Sequence, residues 1–175
     1  VPVPGSSMTA TGPHQVLRAG FVIAAGSSGA GKTSVSLGLA RSLARRGTVV
    51  QTFKVGPDYL DPTHLAAASG RPCFNLDGWM MGADHIRDLF ARQTADAAVA
   101  LVEGVMGLYD GASPNSEEGS TAEIARLLDL PVLLVVDAHA QARTFAAAVH
   151  GLLTFPPGIR CCGVIANRVG SDRHA

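Results

Sequence analysis

The chain has 175 residues, enough for one domain with a single core, and 47% of them are hydrophobic, a composition that excludes a largely disordered protein. Fourteen basic residues balance fourteen acidic ones, which excludes a basic field for nucleic acid and a polybasic membrane patch, so charge chemistry must be local. Cys73, Cys161 and Cys162 form no CxxC pair, which argues against a secreted disulfide framework or a zinc site and for a reducing cytoplasm.

Residues 1–15, "VPVPGSSMTATGPHQ", are rich in Pro, Gly, Ser and Thr and read as a flexible leader, with Met8 a natural start and no signal-peptide regions. From Gly20 onward short β-rich runs alternate with longer amphipathic stretches. "AGFVIAA" predicts a buried strand. "TSVSLGLARSLARRG" then places Val35, Leu39 and Leu43 on one face, gathers Arg41, Arg45 and Arg46 near its end and stops at Gly47, as a helix should. "TVVQTFKV" is the next strand, and Asp61-Pro62 opens a helix that ends at the glycine of "THLAAASG". A helix over 84–92 precedes the strand "AAVALVEG", and Ser120 with Glu123 forms an S-x-x-E capping box ahead of a periodic apolar run. "PVLLVVDA" reads as a strand, "QARTFAAAVHGLL" as a helix and "CCGVIANRV" as the last strand. Strands apolar on both faces and joined through helices predict an α/β fold, a doubly wound and mostly parallel sheet, with residues 16–175 as one domain. The apolar runs 101–109 and 130–136 are each too short to cross a bilayer.

Gly26-x4-Gly31-Lys32-Thr33, within "GSSGAGKTS", fills every position of the phosphate-binding loop pattern and lies between a predicted strand and a predicted helix, the context that pattern needs. Gly26, Ser27, Ser28, Gly29, Ala30, Gly31, Lys32, Thr33 and Ser34 are therefore candidate ATP contacts. Backbone N–H groups would turn inward around phosphate oxygens, Lys32 would reach the β- and γ-phosphates, and Thr33 would ligate Mg²⁺. Lys32 and Lys54 are the only lysines, while arginine fills the other twelve basic positions. Lysine is a compact point charge that a crowded phosphate loop cannot exchange for arginine's planar fork. Lys54 ends the next strand, where open α/β sheets place their ligands, so a second cation there points to another developing anion.

Acidic residues gather at strand ends too: Asp58 and Asp61, then Glu103 and Asp110, then Asp137. Mg²⁺ in a nucleotide site needs one or two carboxylates beside phosphate and water, and Glu103 and Asp58 are placed to supply them. Asp61, Asp77 and Asp84 read as caps or solvated loop acids. Trp79, Met80, Met81, Met106 and Tyr109 either pack the core and a lid or line a pocket for a large flat ligand. The histidines show no ligand spacing, and the three cysteines read as buried small residues.

"AAGSSGAGKTSVSLGLARSLARRG", "FKVGPDYLDPTHLAAASGRPCFNLDGWMMG", "LVEGVMGLYDG", "GSTAEIARLLDLPVLLVVDA" and "GVIANRVGSDRH" together resemble the ATP-binding half of the cobyrinic acid a,c-diamide synthase family, from about Val22 to His174. The family includes the hydrogenobyrinic acid version. The resemblance implies a P-loop NTPase fold of the dethiobiotin-synthetase-like type and ATP-dependent amidation of the a and c acetate side chains of a corrinoid, through an acyl phosphate, in cobalamin biosynthesis. It also implies catalytic roles for Lys32, Lys54, Glu103 and Asp58, with Thr33, Asp58 and Glu103 holding Mg²⁺. Lys54 would stabilise charge on the transferring phosphoryl or the substrate carboxylate. Asn167 would contact the adenine, Tyr59 and Asp110 would orient the corrinoid, and the Ser120-capped helix start would receive one of its carboxylates. Family members continue past the equivalent of "GSDRH" into the rest of the synthetase domain and a glutaminase domain. Ammonia is therefore expected from a domain outside this chain, which by itself could be an inactive nucleotide-binding module, and a homodimer is a further expectation. Among siblings such as cobyric acid synthase, nickel-sirohydrochlorin diamide synthase and dethiobiotin synthetase, "KVGPDYLDP" with "EGVMGLYDG" favours the diamide synthase. A partitioning-type ATPase would carry a lysine at the second loop position, where this chain has Ser27.

Overall fold

Residues 19–170 are described by the structure, a computed structural model, so the leader expected over 1–15 lies outside the described residues. Six strands form one sheet: β1 Ala19–Ala25, β2 Val50–Val55, β3 Phe74–Leu76, β4 Val99–Glu103, β5 Val132–Asp137 and β6 Cys161–Asn167. The helices are α1 Lys32–Arg45, α2 Asp61–Ser69, α3 Gly78–Met81, α4 Ala83–Thr94, α5 Thr121–Leu127 and α6 Arg143–Thr154. All strand pairs are parallel, in the order β3-β2-β4-β1-β5-β6.

That order sorts the helices by face. The chain moves outward in one direction from β1 to β2 to β3, then returns through β4 and continues to β5 and β6. Right-handed crossovers in opposite directions must pass over opposite faces of a sheet. Accordingly Val35, Leu39 and Leu43 of α1 and Ala68 of α2 pack on Ile23, Ala25, Val50, Leu101 and Val135, while Ile86 and Phe90 of α4 and Ile124 of α5 pack with Val22, Ala24, Phe53, Val102 and Leu134 on the other face. The two-residue alternation along β1, β4 and β5 serves both layers, which is why each strand reads as a continuous apolar run.

β3 and α3 were not predicted, because three residues and four residues carry too little periodicity to read. Asp77 does cap α3, its Oδ1 accepting from Trp79 N and Met80 N at 3.0 Å. At α5 Ser120 Oγ accepts from Glu123 N at 3.1 Å as the capping box requires, while Glu123 Oε2 accepts from Gly119 N at 2.6 Å, one residue before the cap, because Ser120 N donates to Glu117 O at 2.9 Å. Two expectations fail at β6. As an edge strand with one neighbour it alternates exposed and half-buried residues, and Cys161 and Cys162 are exposed rather than buried. Among the described residues, no helix is long and apolar enough to cross a membrane.

Phe53 anchors the wider core, with its ring 5.1 Å from that of Phe90 and 6.4 Å from that of Phe74, and it is fully buried. Phe53→Ala should lower the unfolding free energy by about 3–5 kcal/mol in urea denaturation, with little change in the slope.

Candidate active site

The phosphate loop turns between β1 and α1, at the end of the sheet where parallel strands place ligands. Gly29 and Gly31 have φ of 76° and 106°, values that L side chains rarely adopt. A Cβ on Gly31 would stand 2.2 Å from Asn167 Nδ2, so the loop also approaches β6 too closely for any side chain there. Ser28, Gly29, Gly31, Lys32, Thr33 and Ser34 line a cavity of about 420 Å³, closed from the other side by Lys54, Asp58, Asp61, Glu103, Met106 and Arg168. Ser27 contributes its carbonyl to Lys32 at 3.4 Å, and Ala30 is buried beneath the loop.

Strand register assembles the charged centre. β2 and β4 pair with Lys54 opposite Glu103, each one residue beyond a side chain of the α4–α5 face (Phe53 and Val102), so both point to the α1 face. There Thr33 Oγ1 donates to Glu103 Oε1 at 2.6 Å, and Lys54 Nζ lies 3.4 Å from the same oxygen. Lys54 Nζ also reaches Asp61 Oδ2 at 3.1 Å and donates to Gly104 O at 2.9 Å. Lys54 is 4% exposed and Glu103 0%, so an ammonium and a carboxylate sit out of water and need each other. Burial pushes the Glu103 carboxyl above its ordinary range, opposed by the Thr33 hydrogen bond and by Lys54. Glu103 Oε2 makes no hydrogen bond among the described residues, and Ser36 Oγ, though near it, donates to Lys32 O at 2.9 Å. Burial, and then the neighbouring Lys54, lower the pKa of Lys32. Its Nζ donates to the carbonyl of Met106, a residue held at φ 45°.

Both aspartates of "GPDYLDP" border the cavity. Asp58 Oδ1 accepts from Leu60 N at 2.8 Å and Asp61 N at 3.0 Å, so it caps the entry to α2 while still bordering the cavity. Asp61, expected as a cap or solvated acid, holds Lys54 instead, because the first turn of α2 lies over the end of β2. Asp110 Oδ2 accepts from Gly107 N at 2.8 Å and borders a second, mainly apolar hollow of about 280 Å³ with Trp79, Val105 and Met106. Val105 and Met106 line both cavities, so the two adjoin. Tyr59 is 89% exposed on the loop before α2. The flat-ligand set therefore divides: Trp79 and Met106 border the hollow, Met80 is exposed, and Met81 packs on the core. Tyr109 also packs there and donates its hydroxyl to Leu152 O at 2.5 Å.

Ser120 must be corrected. It is fully buried, its hydroxyl is taken by Glu123 N, and Ala122 N donates to Leu108 O at 2.9 Å, so the start of α5 is closed by the protein's own groups rather than open to an anion. Asn167 Nδ2 donates to Ala30 O at 2.8 Å, which brings the end of β6 onto the phosphate loop. Sequence reasoning overlooked Arg168, which borders the cavity from φ 59° and donates to Gly29 O at 2.9 Å. Its one sequence signal is its place directly after Asn167 in "ANRVG".

The donor set fits a Mg-nucleotide: turned loop amides, a lysine among carbonyls, and the hydroxyl of Thr33 against a buried carboxylate with one oxygen unpartnered. No cluster of three or more acidic, His or Cys side chains forms a metal cage among the described residues. Residues 21–175 match the CobQ/CobB/MinD/ParA nucleotide binding domain. The chain belongs to this family.

This nucleotide-binding domain is 65% identical over 154 residues to a cobyrinate a,c-diamide synthase of Syntrophotalea carbinolica, covering 88% of this chain and 34% of the relative. It is 52% identical to a hydrogenobyrinate a,c-diamide synthase of Streptomyces coelicolor, covering 88% and 32%, and 54% identical to that of Brucella ovis, covering 89% and 35%. The chain thus spans about a third of the length of these relatives. Among solved structures, cell division protein FtsY of Thermotoga maritima superposes with TM-score 0.60 at 15% identity, over 89% of this chain and 53% of that one. The signal recognition particle receptor FtsY of Elizabethkingia anophelis gives 0.56 at 18%, over 78% and 47%. Both carry the same P-loop NTPase fold.

The raised pKa of Glu103 sets a pH dependence. The folded protein favours its protonated form, so its contribution to stability is complete below the ordinary value of 4.5 and is lost as pH rises through the raised one. Glu103→Gln has no such loss. Its unfolding free energy relative to the parent should climb as pH rises above the ordinary value of 4.5 in paired denaturant titrations, whereas a flat gap would mean that Lys54 and Thr33 fully offset burial.

Proposed function

We propose that this chain is the nucleotide-activating part of an amidoligase that converts the a and c acetate carboxylates of a corrinoid, cobyrinic or hydrogenobyrinic acid, to amides. ATP is the co-substrate and Mg²⁺ the cofactor. The observation that carries this reading is the approach of two cations, Lys32 from α1 and Lys54 from β2, to one cavity on either side of the Thr33–Glu103 contact. One phosphate-loop lysine suffices to hold a nucleotide, and a second lysine at the wall of the same cavity, kept charged by Glu103 and Asp61, is placed to meet the charge that develops as a phosphoryl group is transferred. The names of the relatives supply the identity of the acceptor.

In this reading the loop amides and Lys32 hold the β- and γ-phosphates, and Lys32 gives up the Met106 carbonyl to reach them. Thr33 and Glu103, with Asp58 at the cavity wall, would hold Mg²⁺, which when bound would neutralise charge on the phosphate oxygens. Lys54, aimed by Glu103 and Asp61, meets the substrate carboxylate. A carboxylate oxygen attacks the γ-phosphorus, and the new O–P bond forms as the bond to ADP breaks. Ammonia then attacks the acyl carbon and phosphate leaves. The hollow beside Trp79 and Met106 offers an apolar wall to the macrocycle, with Tyr59 and Asp110 at its polar edges. Asn167, with one amide N–H and its oxygen to spare, is left for the adenine. Ammonia comes from glutamine hydrolysed by a domain beyond this nucleotide-binding part, and the enzyme works in the cytoplasm, as a homodimer.

Ammonium in place of glutamine tests this directly. The purified protein with Mg-ATP, ammonium and cobyrinic or hydrogenobyrinic acid should release ADP only when the corrinoid is present and yield mono- and diamide masses. ADP release indifferent to the corrinoid, with its mass unchanged, would overturn the proposal. Lys54→Ala should keep nucleotide affinity while turnover falls about 10²–10³-fold. Lost affinity with turnover intact would assign Lys54 to nucleotide binding instead.

A further inference from the structure

Among the described residues β6 is an edge strand, separated from β1 by β5, yet its end touches the phosphate loop. Two consecutive residues make the contact. Asn167 Nδ2 donates to Ala30 O at 2.8 Å, and Arg168 Nη2 donates to Gly29 O at 2.9 Å. The other arm of the Arg168 guanidinium, Nη1, donates to Asp137 Oδ2 at 2.7 Å, at the end of the neighbouring β5. Asp137 is itself held, its Oδ1 accepting from His139 N at 2.9 Å. Arginine's planar fork suits this bridge, since one arm can take a carboxylate while the other takes a carbonyl, which a lysine cannot do in the same geometry.

The consequence follows from the peptide bond. In a trans peptide the carbonyl of one residue and the N–H of the next point in opposite directions. Drawing the Gly29 and Ala30 carbonyls toward β6 therefore turns the N–H groups of Ala30 and Gly31 the other way. Gly29 and Gly31, both at positive φ, give the loop the freedom to accept that orientation.

Resting on the nucleotide reading above, we propose that Asn167 and Arg168 are positioning residues that hold the phosphate-loop amides facing the phosphates before ligand arrives, with Asp137 aiming Arg168. Through these two carbonyl contacts they act on the phosphates; the adenine contact given to Asn167 uses its other amide groups, so the test is made on Arg168 and Asp137. Inorganic tripolyphosphate, which has no base, separates an effect on the phosphates from one on the base.

Binding of Mg-ATP and of Mg-tripolyphosphate to the purified protein would be measured by calorimetry for the parent, Arg168→Ala, Arg168→Lys, Asp137→Ala and the Arg168→Ala/Asp137→Ala pair, with thermal unfolding confirming each fold. Arg168→Ala should weaken both ligands by the same factor, about tenfold, the scale of a lost hydrogen bond to a charged group. Arg168→Lys should be equally weak, because the charge without the fork cannot bridge Asp137 and Gly29. Asp137→Ala should lose in the same direction, and the double variant no more than the worse single one. Arg168→Gln, which keeps a donor and bulk, replaces the alanine variant if that one fails to fold. Unchanged tripolyphosphate binding beside weakened ATP binding would overturn the proposal in favour of base recognition. Full rescue by lysine would overturn it in favour of direct charge contact with phosphate. A parent protein that binds neither ligand would overturn the nucleotide reading itself.

Discussion

Lys54 is an ammonium group taken out of water, and the site is organised around the two carboxylates that make this tolerable, Glu103 at 3.4 Å and Asp61 at 3.1 Å. Removing one partner from such a buried group typically costs about 3–5 kcal/mol, so the three side chains stand or fall together. Glu103 also accepts the Thr33 hydroxyl, which ties the first turn of α1 and with it the phosphate loop to β4. The arrangement depends on strand register. A slip of one residue between β2 and β4 would send Lys54 and Glu103 to opposite faces of the sheet and separate them from α1.

Winding direction does the rest. Because the chain reaches β2 and β3 moving one way along the sheet and β4, β5 and β6 moving the other, always by right-handed crossovers, α1 and α2 share one face and α4 and α5 the other. The loops after β1, β2 and β4 therefore converge on one end of neighbouring strands. The segment after β4 serves two neighbours at once. Val105 exchanges hydrogen bonds with the Thr121 hydroxyl at the start of α5, and Met106, at φ 45°, presents its carbonyl to Lys32. That segment walls both the phosphate cavity and the apolar hollow beside Trp79.

The phosphate loop was legible because its pattern is local. Gly26 to Ser34 must be contiguous to wrap phosphate, and the flanking strand and helix announce themselves by their periodicity. Lys54 stood out for a compositional reason, as one of two lysines in a chain that otherwise uses arginine. The carboxylates were harder to read. Asp58 and Asp61 lie three residues apart in one loop, and only the way α2 docks over β2 decides which caps the helix and which reaches the lysine. Cys161 and Cys162 sit in a strand that reads as buried, and they are exposed because β6 has a single neighbour among the described residues.

By itself, then, the sequence determined the local chemistry: where strands and helices alternate, where the phosphate-loop pattern falls between strand and helix, that Ser120 caps α5, and that a second cation waits at a strand end. Only the tertiary structure decided partnership. It placed Lys54 against Glu103 through strand register, closed the start of α5 that Ser120 caps, and carried Asn167 and Arg168 across from β6 to the Ala30 and Gly29 carbonyls. Those contacts join residues 49, 137 and 139 positions apart. The physical reason is range: periodicity and capping act within a few residues along the chain, whereas register, crossover hand and edge position arise only when distant strands pair.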